Sequence, residues 1–481
     1  MMLDRCRSVL IIGAGEAGRE VASQIDCGGT VNAVAAGFLD DDPSLTGGTV
    51  DGIPVLGTTA DLERIAAAGR IDEIIIAVPS APGRFVRDMI KRCRRTGLPY
   101  KIVPGVMEII RGAVHIDQIR EVRVEDLLGR ETVEFDPSSA AQVLAGRRIL
   151  VTGAGGTIGG ELCRQLARIG PAALIMLGRG ENRIFDIEEE IRNAAPGLEI
   201  VPVIDSLREP GRIMRILEEL RPEVIYHTAA HKHVHYMERD PEEAVLNNVA
   251  ATVNLVEAAR RCGTSRFVFI STDKAADPTG VMGATKRLVE RYLRAIGDGS
   301  SCRFITVRFG NVIGSTGSVV PLFIRQINRG GPVTVSDPAA TRFFMTVKEA
   351  ALLVIEASVK GDGGETFILD MGEALNILDM ARDIIMLTGH EPGAEIPIEI
   401  TGLRDGEKLH EVLVGPDEEL EPQRDGAKIM RAVPKDTVPP GFERSVAECI
   451  DAARAGDRDA VLRLLAELVP GFGAGPGGAN R

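Results

Sequence analysis

"RRILVTGAGGTIGGELCRQLA", residues 147 to 167, begins with an apolar, β-branched run, passes through glycines and continues with helical spacing. A short apolar run without polar alternation is that of a strand covered on both faces. Gly153, Gly156 and Gly159 stand in G-x-x-G-x-x-G spacing where strand gives way to helix. Glycine allows the tight turn and lets the backbone approach a diphosphate at the helix N-terminus. The stretch reads as the start of a βαβ unit.

An earlier stretch, "RSVLIIGAGEAGREVA" at 7–22, repeats the design with Gly13, Gly15 and Gly18, and Asp40 stands near the ribose position. Apolar runs "ALIMLG" (173–178), "EIVPVI" (199–204), "VIYHTAA" (224–230), "RFVFIST" (266–272) and "RFITVRFGNV" (303–312) then alternate with helical patterns. Such alternation predicts an α/β chain with two Rossmann-like, doubly wound parallel-sheet domains. The expected boundaries are 1–130 for the first domain, 131–146 for a linker, 147–425 for the larger domain, 426–468 for a C-terminal helical extension and 469–481 for a disordered tail. The first fingerprint has no catalytic segment after it, so a structural or regulatory role is expected there, with a second bound nucleotide as the alternative.

Composition narrows the classes. Hydrophobic residues make up 44% and charged residues 26% of the 481, ordinary for a soluble globular chain. A net charge of -13 argues against a general nucleic-acid binder. Seven cysteines fall at irregular spacing without a C-x-x-C pair, which predicts neither a disulfide framework nor a zinc site and fits a reducing cytoplasm. No apolar run approaches the roughly 18 residues of a membrane span. His227, His231, His233 and His235 are close in sequence, but no carboxylate or cysteine completes an evident ligand set, so no metal is expected.

The chemistry concentrates in "STDKAADPTGVMGATKR", residues 271 to 287. Thr272, Asp273 and Lys274 close a strand, where ligands of parallel sheets bind, and Lys286 follows one helix later. Dehydrogenases of this pattern carry Tyr four residues before that lysine; Met282 stands there instead, and a thioether has no proton to exchange. A carboxylic acid beside an amine suits an elimination. Oxidation at C4 of a hexose acidifies the C5 hydrogen, Lys274 removes it, Asp273 protonates the departing C6 hydroxyl, and hydride returns to C6. Those roles require neutral Lys274 and protonated Asp273. Burial and the nearby Lys286 push that way, whereas their mutual attraction opposes it. Thr272 is expected to relay the C4 hydroxyl proton to Asp273 or water in place of the missing phenol. For the cofactor, Arg179 suits a 2′-phosphate and Glu181 a 2′-hydroxyl, leaving NADP and NAD open with NAD favoured. Asp205 suits the adenine amino group.

The segments "VTGAGGTIGGEL", "AAHKHV", "ISTDKA", "MGATKR", "VRFGNVIGSTGSVVPLF", "TRFFMT", "ILDMGE" and "TGLRDGEKLHE" span about 150 to 412. Together they resemble the UDP-N-acetylglucosamine 4,6-dehydratases of polysaccharide biosynthesis, in the extended short-chain dehydrogenase/reductase superfamily. Long members of that family carry Met at this point and an N-terminal Rossmann-like domain, matched here by "GAGEAG" and "GFLDDDP". The resemblance implies a C-terminal substrate-binding portion and a tightly bound, recycled cofactor. Cofactor contacts would come from Gly153, Gly156, Thr157, Ile158, Gly159, Ala229, Ala230, Lys232 and Lys286. A UDP-sugar would meet Lys232, Asn311, Ser318, Pro321, Arg342, Arg404 and Glu407. A homo-oligomer is expected. Long relatives usually begin with membrane helices, so the chain reads as a truncated or soluble relative located in the cytoplasm. "HKHVHYME" and "PTGVMG" depart from the family's usual pattern at His235 and Gly280, and the resemblance implies that both departures bear on the sugar pocket. Two other readings remain: a dehydratase that also inverts C5, and a nucleotide-binding scaffold without turnover.

Overall fold

The computed structural model describes residues 6–25, 33–68, 71–81, 83–103, 124–128, 135–297, 299–315, 317–421 and 428–473. Two compact units emerge, one built on residues 1–134 with 327–330 and 381–397, the other on the remainder. The expected tail beyond 473 and the first residues of the linker, 131–134, lie outside the described residues.

In the first unit, β1 (Arg7–Ile12) leads into α1 (Glu16–Gln24), β2 (Ala33–Leu39), β3 (Thr49–Val50) and β4 (Ile53–Gly57). Then come α2 (Leu62–Ala67), β5 (Glu73–Ile76), α3 (Gly83–Thr96) and β6 (Tyr100–Ile102). Among the described residues the sheet order is β3-β4-β2-β1-β5-β6. β1 is central and buried from Val9 to Ile12, and it pairs in parallel with β2 and β5. Gly18 packs so closely that a Cβ would sit 1.9 Å from the Gly13 carbonyl oxygen. Cys6 is disulfide-bonded, which corrects the expectation of reduced cysteines at that position. Cys93, Cys163, Cys262, Cys302 and Cys449 are free thiols.

The second unit opens with α4 (Pro137–Leu144), which occupies residues expected to be linker. Pro at its first turn and Asp136 accepting the Ser138 amide at 2.9 Å explain its start. The core strands are β7 (Arg148–Thr152), β8 (Ala173–Gly178), β9 (Glu199–Ile204), β10 (Val224–His227), β11 (Arg266–Ile270) and β12 (Arg303–Arg308), with α5 (Thr157–Ile169) after β7. They pair in parallel in the order β12-β11-β10-β7-β8-β9. Thr366–Leu369 extends the parallel set, and Ile429–Pro434 and Glu418–Leu420 complete it antiparallel. The sheet therefore runs past the boundary expected at 425. Helices Phe442–Ala455 and Arg458–Leu468 bury Val446, Cys449, Val461 and Leu465 against the same core as Met282 and Tyr292. Among the described residues no helix is long and apolar enough to cross a membrane.

Candidate active site

The parallel register brings the carboxyl ends of β7, β10, β11 and β12 side by side. Thr152 is aligned with His227, and His227 with Phe269. Backbone pairing continues beyond the strands, since the Ser271 amide donates to Val307 O at 2.8 Å and that of Asp273 to Phe309 O at 3.0 Å. Asp273 and Lys274 thus leave the sheet in a fixed direction beside Asn311.

Gly153 has φ +69°, and a Cβ there would lie 2.8 Å from both Ala229 N and Thr228 Oγ1. At Gly159 it would come within 2.2 Å of the Gly153 carbonyl oxygen. These contacts let α5 start against the turn, with Gly156 as its N-cap and no side chain closing the cap. A cleft of about 340 Å³ opens there, bounded by Gly153, Gly156, Arg179, Asp205, Ala229 and Ala230. The amide-lined turn, helix start and adjoining strand ends fit a dinucleotide. Arg183 and Arg208 also line this cleft, whereas Glu181 opens the next helix as an exposed residue. Asp205 accepts the Ser206 amide at 2.7 Å and pairs with Arg212. Thr157 and Ile158 form the first turn of α5.

Thr272 Oγ1 donates to Asp273 Oδ1 at 2.9 Å, and Lys274 Nζ donates to the same oxygen at 3.0 Å. Lys274 Nζ also lies 3.4 Å from Asn311 Oδ1 and 3.4 Å from Glu411 Oε1. Asp273 is buried, and its Oδ2 has no hydrogen-bond partner among the described residues. Burial lowers the Lys274 pKa, but Asp273 and Glu411 outweigh it and hold the ammonium above its ordinary value. Of the two opposing effects, attraction to the carboxylates therefore exceeds burial, and Lys274 does not rest as the neutral amine that a base requires. Two carboxylates beside one amine win.

Lys286 lies on the helix Val281–Gly297, one turn after the buried Met282. Its Nζ donates to Ile270 O at 2.8 Å and stands 4.5 Å from the Phe269 ring centroid. Burial pulls it down to about 7, against the opposing pull of Glu290. His227 is buried between Thr152 Oγ1 at 2.7 Å and Thr252 Oγ1 at 2.8 Å, and burial lowers it to about 3. His231 pairs with Glu243 at 2.9 Å; no cluster of three metal-ligating side chains occurs among the described residues.

Of the expected substrate residues, Asn311 joins the cluster directly. Lys232 Nζ is 3.5 Å from Ser315 Oγ. Ser318 Oγ is buried without a partner among the described residues, three positions before Pro321 on the helix Val319–Ile327. Arg342 is committed to the carbonyls of Thr341, Leu409 and Lys408 at 2.7–3.0 Å, with Glu411 at 3.8 Å. Arg404 is exposed, and Glu407 accepts its amide at 3.3 Å.

Three features escaped the sequence reading. Asn248 sits in a π-helical turn, Val245–Ala250, and its side chain bonds the His231 amide, the His231 carbonyl and Thr285. A π-turn inside a helix often marks a functional site, but its sequence gives no cue. Glu411 reaches the cluster from a distant loop. Behind both, a buried ion network joins Arg287, Glu290, Arg308 and Glu418, and Ser271 Oγ donates to Glu290 at 2.6 Å. In the first unit, Asp40 accepts the Ala14 amide at 2.7 Å, so a carboxylate sits on that glycine turn.

Comparison with known proteins agrees with this geometry. Residues 149–434 match the family model described as polysaccharide biosynthesis protein, and residues 2–104 match a CoA-binding domain. A probable polysaccharide biosynthesis protein, EpsC of Bacillus subtilis, is 44% identical over 86% of this chain and 70% of its own length. A UDP-N-acetylglucosamine 4,6-dehydratase (inverting) of Campylobacter jejuni is 30% identical over 56% of this chain and 78% of its own. The solved structure of Pen from Bacillus thuringiensis superposes with a TM-score of 0.55 at 34% identity, covering 61% of this chain and 88% of that one. With a matched model spanning more than half its length and the strand-end geometry of that fold, the chain belongs to the polysaccharide biosynthesis protein family, built on the short-chain dehydrogenase/reductase fold.

Proposed function

We propose that the protein is a nucleotide-sugar 4,6-dehydratase that converts UDP-N-acetylglucosamine to the UDP 4-keto-6-deoxy sugar. The observation that carries this reading is the contiguous pair Asp273–Lys274 at the end of β11, bonded to Thr272 and next to β10, after which Thr228, Ala229 and Ala230 line the cleft. A hydride transfer alone has no use for a carboxyl and an amine held together; removal of a proton and departure of a hydroxyl use both.

The glycine turn, Asp205 and Lys286 would hold NAD, which when bound would supply reversible hydride storage. The residues do the proton work. Thr272 takes the C4 hydroxyl proton and passes it along its 2.9 Å bond to Asp273, which explains how Met282 replaces a phenol without loss of function. Asp273, now protonated, gives that proton to the C6 oxygen as water leaves. Lys274 takes the proton from C5. The relative named as an inverting UDP-N-acetylglucosamine 4,6-dehydratase supports the substrate and leaves C5 inversion as the second reading. Arg179 and Arg183 on the cleft wall suit the extra phosphate of NADP, so cofactor competition belongs in the assay.

The test is incubation with UDP-N-acetylglucosamine and NAD, then NADP, followed by mass spectrometry. A product lighter by one water is expected. Unchanged substrate with both cofactors would overturn the assignment.

A further inference from the structure

Glu411 arrives at the strand-end cluster from the loop after Arg404. Its side chain is 3% exposed, with Oε1 3.4 Å from Lys274 Nζ and 3.8 Å from Arg342 Nε. Its Oε2 is buried and has no hydrogen-bond partner among the described residues. An unpaired buried acceptor costs about 1–3 kcal/mol, and more when charged. In a native structure such a group calls for an explanation, and a role in the chemistry is one. A small cavity bordered by Lys274, Glu411, Gly280 and Gly406 adjoins it.

The other charges around Lys274 are already placed. Asp273 binds it from its own strand end, and Arg342 stands behind Glu411. Lys408 borders the cavity but is paired with Asp277 at 2.6 Å, and Lys286 is held on Ile270 O. A base at C5 needs somewhere to leave its resting proton, and Asp273 is occupied as the acid at C6.

Resting on the dehydratase reading above, we propose that Glu411 is the proton-holding partner of Lys274. Lys274 Nζ gives one proton to Glu411 and meets C5 as a neutral amine. The amine takes the C5 hydrogen as a proton, and the C5–H electron pair forms the C5–C6 double bond. The C6–O bond breaks, and the oxygen leaves as water with the proton from Asp273. Once C6 is reduced, Lys274 returns a proton to C5, and Glu411 gives its proton back to Lys274. Glu411 acts through Lys274 and is a positioning residue.

The test compares solvent deuterium entry at C5 of UDP-N-acetylglucosamine across pH for the wild-type holoenzyme, Glu411→Gln and Glu411→Asp, each checked for retained nucleotide. If Glu411 holds the proton, exchange in E411Q falls about 100-fold near neutral pH. It then recovers about tenfold per pH unit as bulk solvent strips Lys274. E411D, which keeps the carboxylate, retains a flat profile at reduced rate. If Glu411 merely strengthens the hold of Lys274 on its proton, E411Q frees the base and exchange at neutral pH is equal or faster, which would overturn the proposal alone. Wild-type enzyme that turns over without C5 deuterium, or not at all, would overturn the dehydratase reading and this proposal with it.

Discussion

Replacing Glu418 by Gln probes how far the buried ion network stabilises the fold around β12. The Glu418 carboxylate is fully buried and accepts from Arg308 Nη1 at 2.7 Å, Arg308 Nη2 at 3.0 Å, the Gly415 amide at 2.9 Å and Arg287. Glutamine preserves the volume and one acceptor but removes the charge and points an amide donor at two guanidinium groups. Breaking a buried pair from one side costs about 3–5 kcal/mol. Glu290 and Asp417 still face the arginines, so the lower end, about 3 kcal/mol, applies. For a domain of this size each kcal/mol moves Tm by about 2 °C, giving a fall of roughly 6 °C by calorimetry at neutral pH. The pH dependence is a second readout. Burial alone would raise the Glu418 carboxyl, yet Arg308 and Arg287 hold it below its ordinary range. A depressed carboxyl stabilises the fold above its unfolded value, about 4.3, and loses that contribution as pH falls through the folded value. The gap between wild type and E418Q should therefore narrow in acid. A Tm within a degree of wild type at neutral pH, or a gap unchanged in acid, would refute the reasoning.

Other expectations follow from the same geometry. Lys286, at about 7, is charged below neutrality and neutral above it. Nucleotide retained after dialysis should therefore fall as pH rises through about 7, and Lys286→Met should flatten that dependence; a flat wild-type profile would contradict it. Gly159→Ala forces a Cβ to within 2.2 Å of the Gly153 carbonyl and should abolish nucleotide binding in a titration, whereas Gly197→Ala, with nothing within 4 Å, should leave it unchanged. Thr272→Val cuts the relay and should slow formation of reduced nicotinamide from the substrate about 100-fold in rapid kinetics. Full C4 oxidation in that variant would remove Thr272 from the proton path.

Much of the sheet was readable because its strands are short, mostly apolar runs. "ALIMLG" and "EIVPVI" coincide with β8 and β9, and "RFVFIST" ends two residues beyond β11, where the chemistry begins. Asp273 and Lys274 were legible because adjacent residues at a strand end share a place. Glu411 was not, since only the folded loop carries it to Lys274. The network was hidden for the same reason: Arg308 ends β12, Glu290 lies on the helix Val281–Gly297 and Glu418 on the strand Glu418–Leu420, and only the fold buries them together. Arg342 looked like a phosphate ligand by residue type, but three backbone carbonyls occupy its guanidinium. Which effect wins at Lys274 was not legible, because the second carboxylate, Glu411, reaches it only in the folded chain.

The central claim is that Lys274 and Asp273 carry out an elimination across C5 and C6. Incubation of the wild-type protein with UDP-N-acetylglucosamine in D2O, read by proton NMR and mass spectrometry, tests it most directly. The expected product has lost one water and carries a single solvent deuterium at C5, with the NMR couplings reporting its configuration. A product that keeps its C6 oxygen, or one with hydrogen retained at C5, would contradict it.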